Sequence, residues 1–309
     1  MAADATADRF GDYEVLDPKF RRLIIPHARL ERLWTGGRWA EGPVYVPAAK
    51  SLLWSDIPND RVMRLDEPGG GVSVFEHGCG FHNGHTLDRS GRIIACEHGN
   101  RRVSRLEHDG TWSCLVDRHE GKRLNSPNDV VVRRDGTIWF TDPTYGIDSH
   151  YEGHEADSEI GACHVYRLDP ASGALSTMVD DMLRPNGLAF SPDERTLYVA
   201  DTGATHDAGC APDIRAYPVQ EDGRLGPARH FATCGAGLFD GFRVDRHGNL
   251  WTSSADSVRA YAPDGTLLGR VVIPEIVSNL CFGGPKRNRL YVTAQTSLYA
   301  IYLNTHAAG

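Results

Sequence analysis

Hydrophobic and polar positions along this chain form six similar units. In each unit a polar residue opens one short apolar run, and a second apolar run begins ten or eleven residues later. The paired runs are EGPVYV from Glu41 with LLWSD from Leu52, NGHTL from Asn83 with IIACE from Ile93, NDVVV from Asn128 with IWFTD from Ile138, NGLAF from Asn186 with LYVAD from Leu197, DGFRV from Asp240 with LWTSS from Leu250, and NLCFG from Asn279 with LYVTA from Leu290. Turn residues such as Asp135-Gly136 separate the two runs of a pair. Each unit is therefore predicted to begin with a β-hairpin.

Further runs with a period of two follow most hairpins and supply a third and a fourth strand. Examples are RVMRLD, VSVFEH, HVYRLD and LLGRVVI. No window carries an apolar pattern long enough to predict a helix. Units of about 40 to 60 residues with several strands each are typical of β-propellers. The pattern predicts an all-β fold, a six-bladed β-propeller.

The units run from about 41 to 302 without a linker, which favours one domain. The segments 31–34 and 298–302 are expected to share a blade and so close the ring. Residues 31–309 are then one propeller domain, and residues 1–30 are an N-terminal extension that packs on the outside.

The polar residue that opens each unit carries the candidate chemistry. The innermost strands of a propeller run along its central channel, so equivalent positions at one end of these strands point toward a common centre. The six residues of this ring are Glu41, Asn83, Asn128, Asn186, Asp240 and Asn279. The ring offers carboxylate and carboxamide oxygens, which are the donors that Ca²⁺ prefers, and it contains no sulfur or imidazole. The alternative is that these residues are turn formers that open a strand; their matching offsets favour the ring.

Composition excludes several classes of function. The net charge of −8 and the lack of a Lys/Arg run argue against a nucleic-acid partner. The first residues lack the apolar core of a secretory signal, and no apolar stretch is long enough for a membrane span. The seven cysteines are scattered and form no CxxC motif. A cytoplasmic location is expected, with the periplasm as the alternative if a leader has been removed.

Two insertions interrupt the repeat, at 143–163 and 203–213. Both follow the second strand of a unit and are rich in Gly, Asp and His. They are either a lid or rim over the channel mouth or ordinary solvated loops.

Five segments resemble one known family in order and spacing. EGPVY, LNSPNDVVVRRDGTIWFTDPTYG, RPNGLAFSPDERTLYVADTG, DGFRVDRHGNLW and NLCFGG are similar to the SMP-30/gluconolactonase/regucalcin family, and most similar to its bacterial gluconolactonase branch. The resemblance implies a six-bladed propeller that hydrolyses lactones such as glucono-1,5-lactone, with one divalent metal on its axis. It also implies metal ligands at Glu41, Asn128, Asn186 and Asp240.

Further site candidates come from the ring, from the residues that flank it and from the family resemblance. Asn83 and Asn279 match the ring but are not standard ligands of the family, so they are expected to support the ligands or contact substrate. Ser126 stands where the regucalcin branch has an Arg that holds the sugar acid, so substrate contacts on that side are expected to differ. His82 flanks the ring and is a further candidate for substrate contact. A weaker resemblance to paraoxonase-like propellers gives His98 the position of a catalytic histidine.

Lactone hydrolysis needs a polarised carbonyl, an activated water and a stabilised oxyanion. A divalent ion acts as a Lewis acid and lowers the pKa of bound water, but Ca²⁺ is weak at the second task, so a general base is expected. Asp240 is the preferred base, because a carboxylate can bind through one oxygen and accept a proton with the other. His98 is the alternative base. The predicted metal is Ca²⁺, with Mg²⁺, Mn²⁺ or Zn²⁺ as alternatives in vitro.

The leading prediction is thus a metal-dependent lactonase of carbohydrate metabolism with a small-molecule lactone as its partner. A phosphotriesterase or paraoxonase-like hydrolase is the second candidate, and a propeller that binds a ligand without catalysis is the third. The acidic ring favours an enzyme. No membrane partner is expected, and the oligomeric state is left open.

Overall fold

A computed structural model describes residues 8–67 and 69–308 of the chain, so residues 1–7 of the predicted extension and Gly309 lie outside the described part. Six antiparallel sheets, each with four strands from one blade, are arranged in a ring. The predicted all-β, six-bladed propeller is confirmed. In the described ranges the helices are short 3-10 turns, at Pro18–Arg22, Ile57–Asn59 and Gly203–Thr205. None of the described helices is of a length and hydropathy that would cross a bilayer.

The strands of each blade run from the channel to the outer surface. The innermost strands of blades 1 to 6 are Ala40–Val46, His82–Leu87, Val130–Val132, Pro185–Phe190, Phe242–Val244 and Val277–Gly283. The second strands are Ser51–Asp56, Ile93–Glu97, Ile138–Asp142, Thr196–Asp201, Leu250–Thr252 and Arg289–Ala294. The third strands are Arg61–Asp66, Arg102–Leu106, His164–Leu168, Asp213–Pro218, Ser257–Tyr261 and Ser297–Tyr302. The outer strands are Gly71–His77, Trp112–Val116, Leu175–Val179, Arg229–Thr233, Leu267–Val272 and, for blade 6, Glu31–Thr35. A separate small hairpin joins Arg118–His119 to Lys122–Arg123.

Blade 6 combines the two ends of the propeller. Glu31–Thr35 pairs with Ser297–Tyr302, as expected from the sequence. The chain before it forms a hairpin of Asp8–Phe10 and Tyr13–Val15, which adds to the outer strand of blade 5. Behind this hairpin Phe20 is fully buried against Trp251. The division into an extension at 1–30 and a domain at 31–309 stays a prediction.

The hydrophobic core is divided into six clusters, one between each pair of neighbouring blades. Between blades 3 and 4, for example, Trp139 packs with Leu188 and Leu197. Each blade is therefore stabilised mainly by its two neighbours, and the innermost strands contact one another around a closed ring.

Glycines let the innermost strands approach each other closely. The glycines are Gly42, Gly84, Gly187 and Gly241. A Cβ atom added at any of these four positions would lie between 1.8 and 2.5 Å from an atom of the next blade. Each directly follows a ring residue. Glu41, Asn83 and Asn186 lie within their strands, where the pairing register shifts, so their polar-glycine pairs are not turns.

Replacing Gly187 with Ala is expected to destabilise the protein by about 1 to 3 kcal/mol or more, because the new Cβ would lie 2.0 Å from the backbone oxygen of Asp240. Denaturant unfolding in EDTA measures the effect. Gly71→Ala is the matched control, since Gly71 also lies in a strand and has open space around it. Equal unfolding midpoints for the two variants would contradict the role given to Gly187.

Candidate active site in the central channel

A cavity of about 330 Å³ lies at the end of the channel where the innermost strands begin. Five of the six ring residues are among the polar residues of its lining: Glu41, Asn83, Asn128, Asn186 and Asp240. Residues that are up to about 200 positions apart in the sequence thus meet around one space. The convergence follows from the repeat, since each residue occupies the same position in its blade.

Hydrogen bonds orient the carboxamides of the ring. The Nδ2 group of Asn186 donates to Thr202 Oγ1 at 3.3 Å, and Nδ2 of Asn83 lies 3.1 Å from His98 Nε2. In both cases the amide nitrogen is engaged, so the carbonyl oxygen is the group left for a ligand. The side chain of Asn128 has no hydrogen-bond partner among the described residues.

Asn279, the sixth ring residue, supports Glu41 instead of lining the cavity. Its Nδ2 donates to Glu41 Oε2 at 3.1 Å, and its Oδ1 accepts from the amide of Leu280 at 2.8 Å. Glu41 Oε2 also accepts from the Gly42 amide at 2.7 Å. These bonds leave Glu41 Oε1 as the oxygen that has no protein partner in the described part of the chain. Of the two roles expected for Asn279, the geometry favours support of a ligand.

Burial makes the two ring carboxylates costly to ionise. The pKa of Glu41 is raised to about 8, mainly by burial and less by the charges of Asp129 and Glu152, while the hydrogen bonds that Glu41 accepts lower it in part. Burial and then the charge of Glu41 raise the pKa of Asp240 well above its usual range. The Asp240 amide donates to Ser253 Oγ at 2.8 Å, which fixes the backbone at this position. A bound cation would remove this electrostatic penalty.

The donor set fits a hard divalent cation. None of the described residues that line the cavity is Lys or Arg. Within the described ranges no group of three or more His, Cys, Asp and Glu side chains is arranged to hold a metal. The candidate site instead mixes two carboxylates with amide oxygens, which suits Ca²⁺, Mg²⁺ or Mn²⁺. Zn²⁺, which prefers imidazole and thiolate, is the poorest match.

His98 lies behind the ring and is fully buried. A carbonyl oxygen only accepts hydrogen bonds, so His98 Nδ1 donates to the backbone oxygen of Glu152 at 3.2 Å and Nε2 accepts from Asn83. Burial lowers the pKa of His98 to about 4, which keeps the ring neutral. Because Asn83 already occupies its basic nitrogen, the geometry favours Asp240 over His98 as the base.

His82 belongs to a buried chain of polar groups outside the cavity lining. Its Nδ1 lies 3.3 Å from His85 Nε2, and His85 Nδ1 donates to the backbone oxygen of Gly42 at 2.9 Å. On its other side His82 Nε2 lies 3.7 Å from Glu97 Oε1. The predicted contact between His82 and substrate therefore gains no support from the geometry.

Ser126 is also engaged by the protein itself. Its hydroxyl donates to the backbone oxygen of Pro143 at 2.6 Å and accepts from the Gly146 amide at 2.9 Å. It anchors the start of the 143–163 insertion and is not among the described lining residues. The predicted contact between Ser126 and substrate likewise gains no support.

The insertions supply lining residues that no sequence pattern singled out. Tyr145 and Glu152 come from the first insertion and Thr205 from the second. Tyr145 Oη bonds to Thr205 Oγ1 at 2.9 Å and to Thr202 Oγ1 at 2.8 Å, which ties the two insertions together. The geometry therefore favours a rim over the channel mouth, and not ordinary solvated loops, for these insertions. The sequence signals for the insertions were their position after the second strand of a unit and their richness in Gly, Asp and His.

Apolar side chains complete the lining of the cavity. They are Trp39, Leu238 and Ile276, with Val277 and Ala255 beside them. A cavity of this size with both polar and apolar lining residues suits a small molecule that carries both kinds of surface.

Residues 39–296 match the family described as SMP-30/Gluconolactonase/LRE-like region. The chain is 30% identical to a gluconolactonase of Zymomonas mobilis over 96% of its length and 87% of that protein. It is 32% identical to a pentonolactonase of Haloferax volcanii, over 84% of its own length and 82% of that protein. A solved structure of a gluconolactonase from Xanthomonas campestris superposes with a TM-score of 0.89 at 41% identity, covering 97% of this chain and 96% of the other.

Proposed function

The chain belongs to the SMP-30/gluconolactonase/LRE-like family, and we propose that it hydrolyses sugar lactones to aldonic acids with a divalent cation bound in the channel. One observation carries the proposal: two buried carboxylates and several amide oxygens share a cavity whose described lining has no positive charge. The relatives named as lactonases support lactones as the substrate class.

Glu41, Asn128, Asn186 and Asp240 would hold the cation. When bound, a divalent cation polarises the lactone carbonyl and stabilises the negative charge that develops on it. The oxygen that Asn83 leaves free can accept a hydrogen bond from a sugar hydroxyl. The apolar lining residues, Trp39 among them, would pack against the carbon face of the sugar ring.

Asp240 moves the proton in the proposed mechanism. Its carboxylate takes a proton from a water molecule as the water oxygen bonds to the carbonyl carbon. The bond between that carbon and the ring oxygen then breaks, and Asp240 returns the proton to the ring oxygen, which becomes a hydroxyl. The new carboxylic acid ionises in solvent.

The seven cysteines are free thiols in the structure, which fits the proposed location in the cytoplasm, where thiols stay reduced.

A pH-stat assay with glucono-1,5-lactone tests the proposal. Acid release is expected above the spontaneous rate, to fall when EDTA removes divalent cations, and to return when Ca²⁺, Mg²⁺ or Mn²⁺ is added. Acid release at the spontaneous rate with each of these ions, on five- and six-carbon lactones, would overturn the lactonase. Full activity in EDTA would overturn only the role of the metal.

A further inference from the structure

We propose that Glu152 makes this cavity selective for uncharged lactones and promotes release of the anionic product. The proposal rests on the lactonase function above and names the class of substrate that the site accepts.

Glu152 faces the same space as the ring carboxylates. It lines the cavity, and its charge raises the pKa of both Glu41 and Asp240. Its own carboxylate has no hydrogen bond or ion pair within the described part of the chain. Burial, followed by the charge of Asp148, raises the pKa of Glu152 to about 7. Nothing in the described protein therefore neutralises this third carboxylate.

The backbone holds Glu152 in place. Its carbonyl oxygen accepts from His98 Nδ1, the same ring that bonds to Asn83. On the C-terminal side, a Cβ atom at Gly153 would lie 2.2 Å from the oxygen of Gly146, and the amide of His154 donates to that oxygen at 3.0 Å. The insertion is thus closely packed on itself at Gly146 and bonded to blade 2 through His98, which fixes the backbone of Glu152 beside the cavity.

The selectivity for uncharged lactones follows from the sum of the charges around the cavity. A divalent cation balances Glu41 and Asp240, and the charge of Glu152 remains. Arg184, which lies over the ring of Tyr145, is already paired with Asp148 at 2.8 Å. A phosphate or carboxylate on the substrate would be repelled by this remaining charge. Sugar hydroxyls, in contrast, can donate hydrogen bonds to Glu152. The aldonate product carries a new negative charge and is repelled in the same way.

The test compares glucono-1,5-lactone with its 6-phosphate by kcat/KM at pH 8. We expect the wild type to prefer the uncharged lactone by on the order of tenfold or more. Glu152→Gln keeps the shape of the side chain and should reduce that preference about tenfold. It should also strengthen inhibition by gluconate severalfold. Glu155→Gln is the matched control, because Glu155 lies in the same insertion but is exposed to solvent.

An unchanged preference in Glu152→Gln, or an equal change in Glu155→Gln, would overturn the proposal while the lactonase stands. Hydrolysis of neither lactone by the wild type would overturn the lactonase and this proposal together. The wild type alone supplies a second measurement if Glu152→Gln fails to fold. Raising the salt concentration should weaken the preference, because ions screen charge repulsion. A preference that does not change with salt would contradict an electrostatic origin.

Discussion

Replacing Asp240 with Asn is expected to lower kcat on glucono-1,5-lactone by on the order of a hundredfold or more while the protein stays folded. An amide is isosteric with the carboxylate but cannot accept the proton from water. The folded state should not suffer, because Asp240 and Glu41 repel each other when no cation is bound. The melting temperature in EDTA should therefore equal or exceed that of the wild type.

Steady-state kinetics and thermal melting in EDTA measure the two effects. Asp264→Asn is the control, since Asp264 is an exposed turn residue of the same blade and Asn can replace its hydrogen bond to Thr266. Cation titration separates the two roles proposed for Asp240. If Asp240→Asn binds the cation with unchanged affinity but has a lower rate, Asp240 is the base. If its affinity for the cation is lower, Asp240 is a ligand. A near-normal rate in Asp240→Asn would exclude both roles and make His98 the next residue to test.

The metal-free protein is expected to lose stability as the pH rises from about 6.5 to 8. In the unfolded chain Glu41 loses its proton near the ordinary value of 4.5, whereas burial holds the proton to about 8 in the folded protein. The stability from this raised pKa is complete below 4.5 and is lost as the pH rises through 8. Between pH 6.5 and 8 the loss amounts to about 2 kcal/mol from this group. Asp142, with a pKa raised to about 7 by burial, adds to it.

The lower limit of this pH window is set by the buried histidines. Burial lowers the pKa of His98 to about 4 and that of His85 to about 3. A lowered histidine pKa removes stability as the pH falls through the unfolded value of 6.5, so these residues oppose Glu41 mostly below about pH 7. Their contribution levels off above about pH 7.5, where the carboxylates determine the slope.

Melting curves in EDTA and in excess Ca²⁺ at pH 6.5, 7.25 and 8 measure the slope. Ca²⁺ should stabilise the protein increasingly as the pH rises, because it binds the ionised ligands. Glu41→Gln should make the slope in EDTA less steep, while the exposed control Glu221→Gln should leave it unchanged. A melting temperature in EDTA that is constant or rises over this range would contradict the proposed burial of uncompensated carboxylates.

The fold was predictable because the same local pattern recurs six times. Alternation determines which residues form strands, and a strand that recurs at similar intervals can bury its faces only against its copies. The ring residues followed from the same argument, since Glu41, Asn128, Asn186 and Asp240 hold equivalent positions in their blades. Their roles as metal ligands remain predictions, and the structure brings them to one cavity.

The role of the glycines after the ring residues was not predictable in this way. An Asn-Gly pair suggests a turn from local propensity, whereas Gly187 is required by the approach of another blade. The hydrogen bond between Asn279 and Glu41 joins residues 238 positions apart. The bond from Asn83 to His98 likewise depends on how two strands of blade 2 pair.

The sequence by itself determined the six blades, the closure of the ring and the set of polar side chains at its centre, because each of these repeats along the chain. Only the tertiary structure decided that Asn279 supports Glu41, that the basic nitrogen of His98 accepts a hydrogen bond from Asn83, and that Glu152 lines the cavity. The insertion that carries Glu152 occurs once and has no period, so its path depends on contacts with distant strands. The pKa values of Glu41 and Asp240 depend in the same way on burial, which exists only in the folded protein.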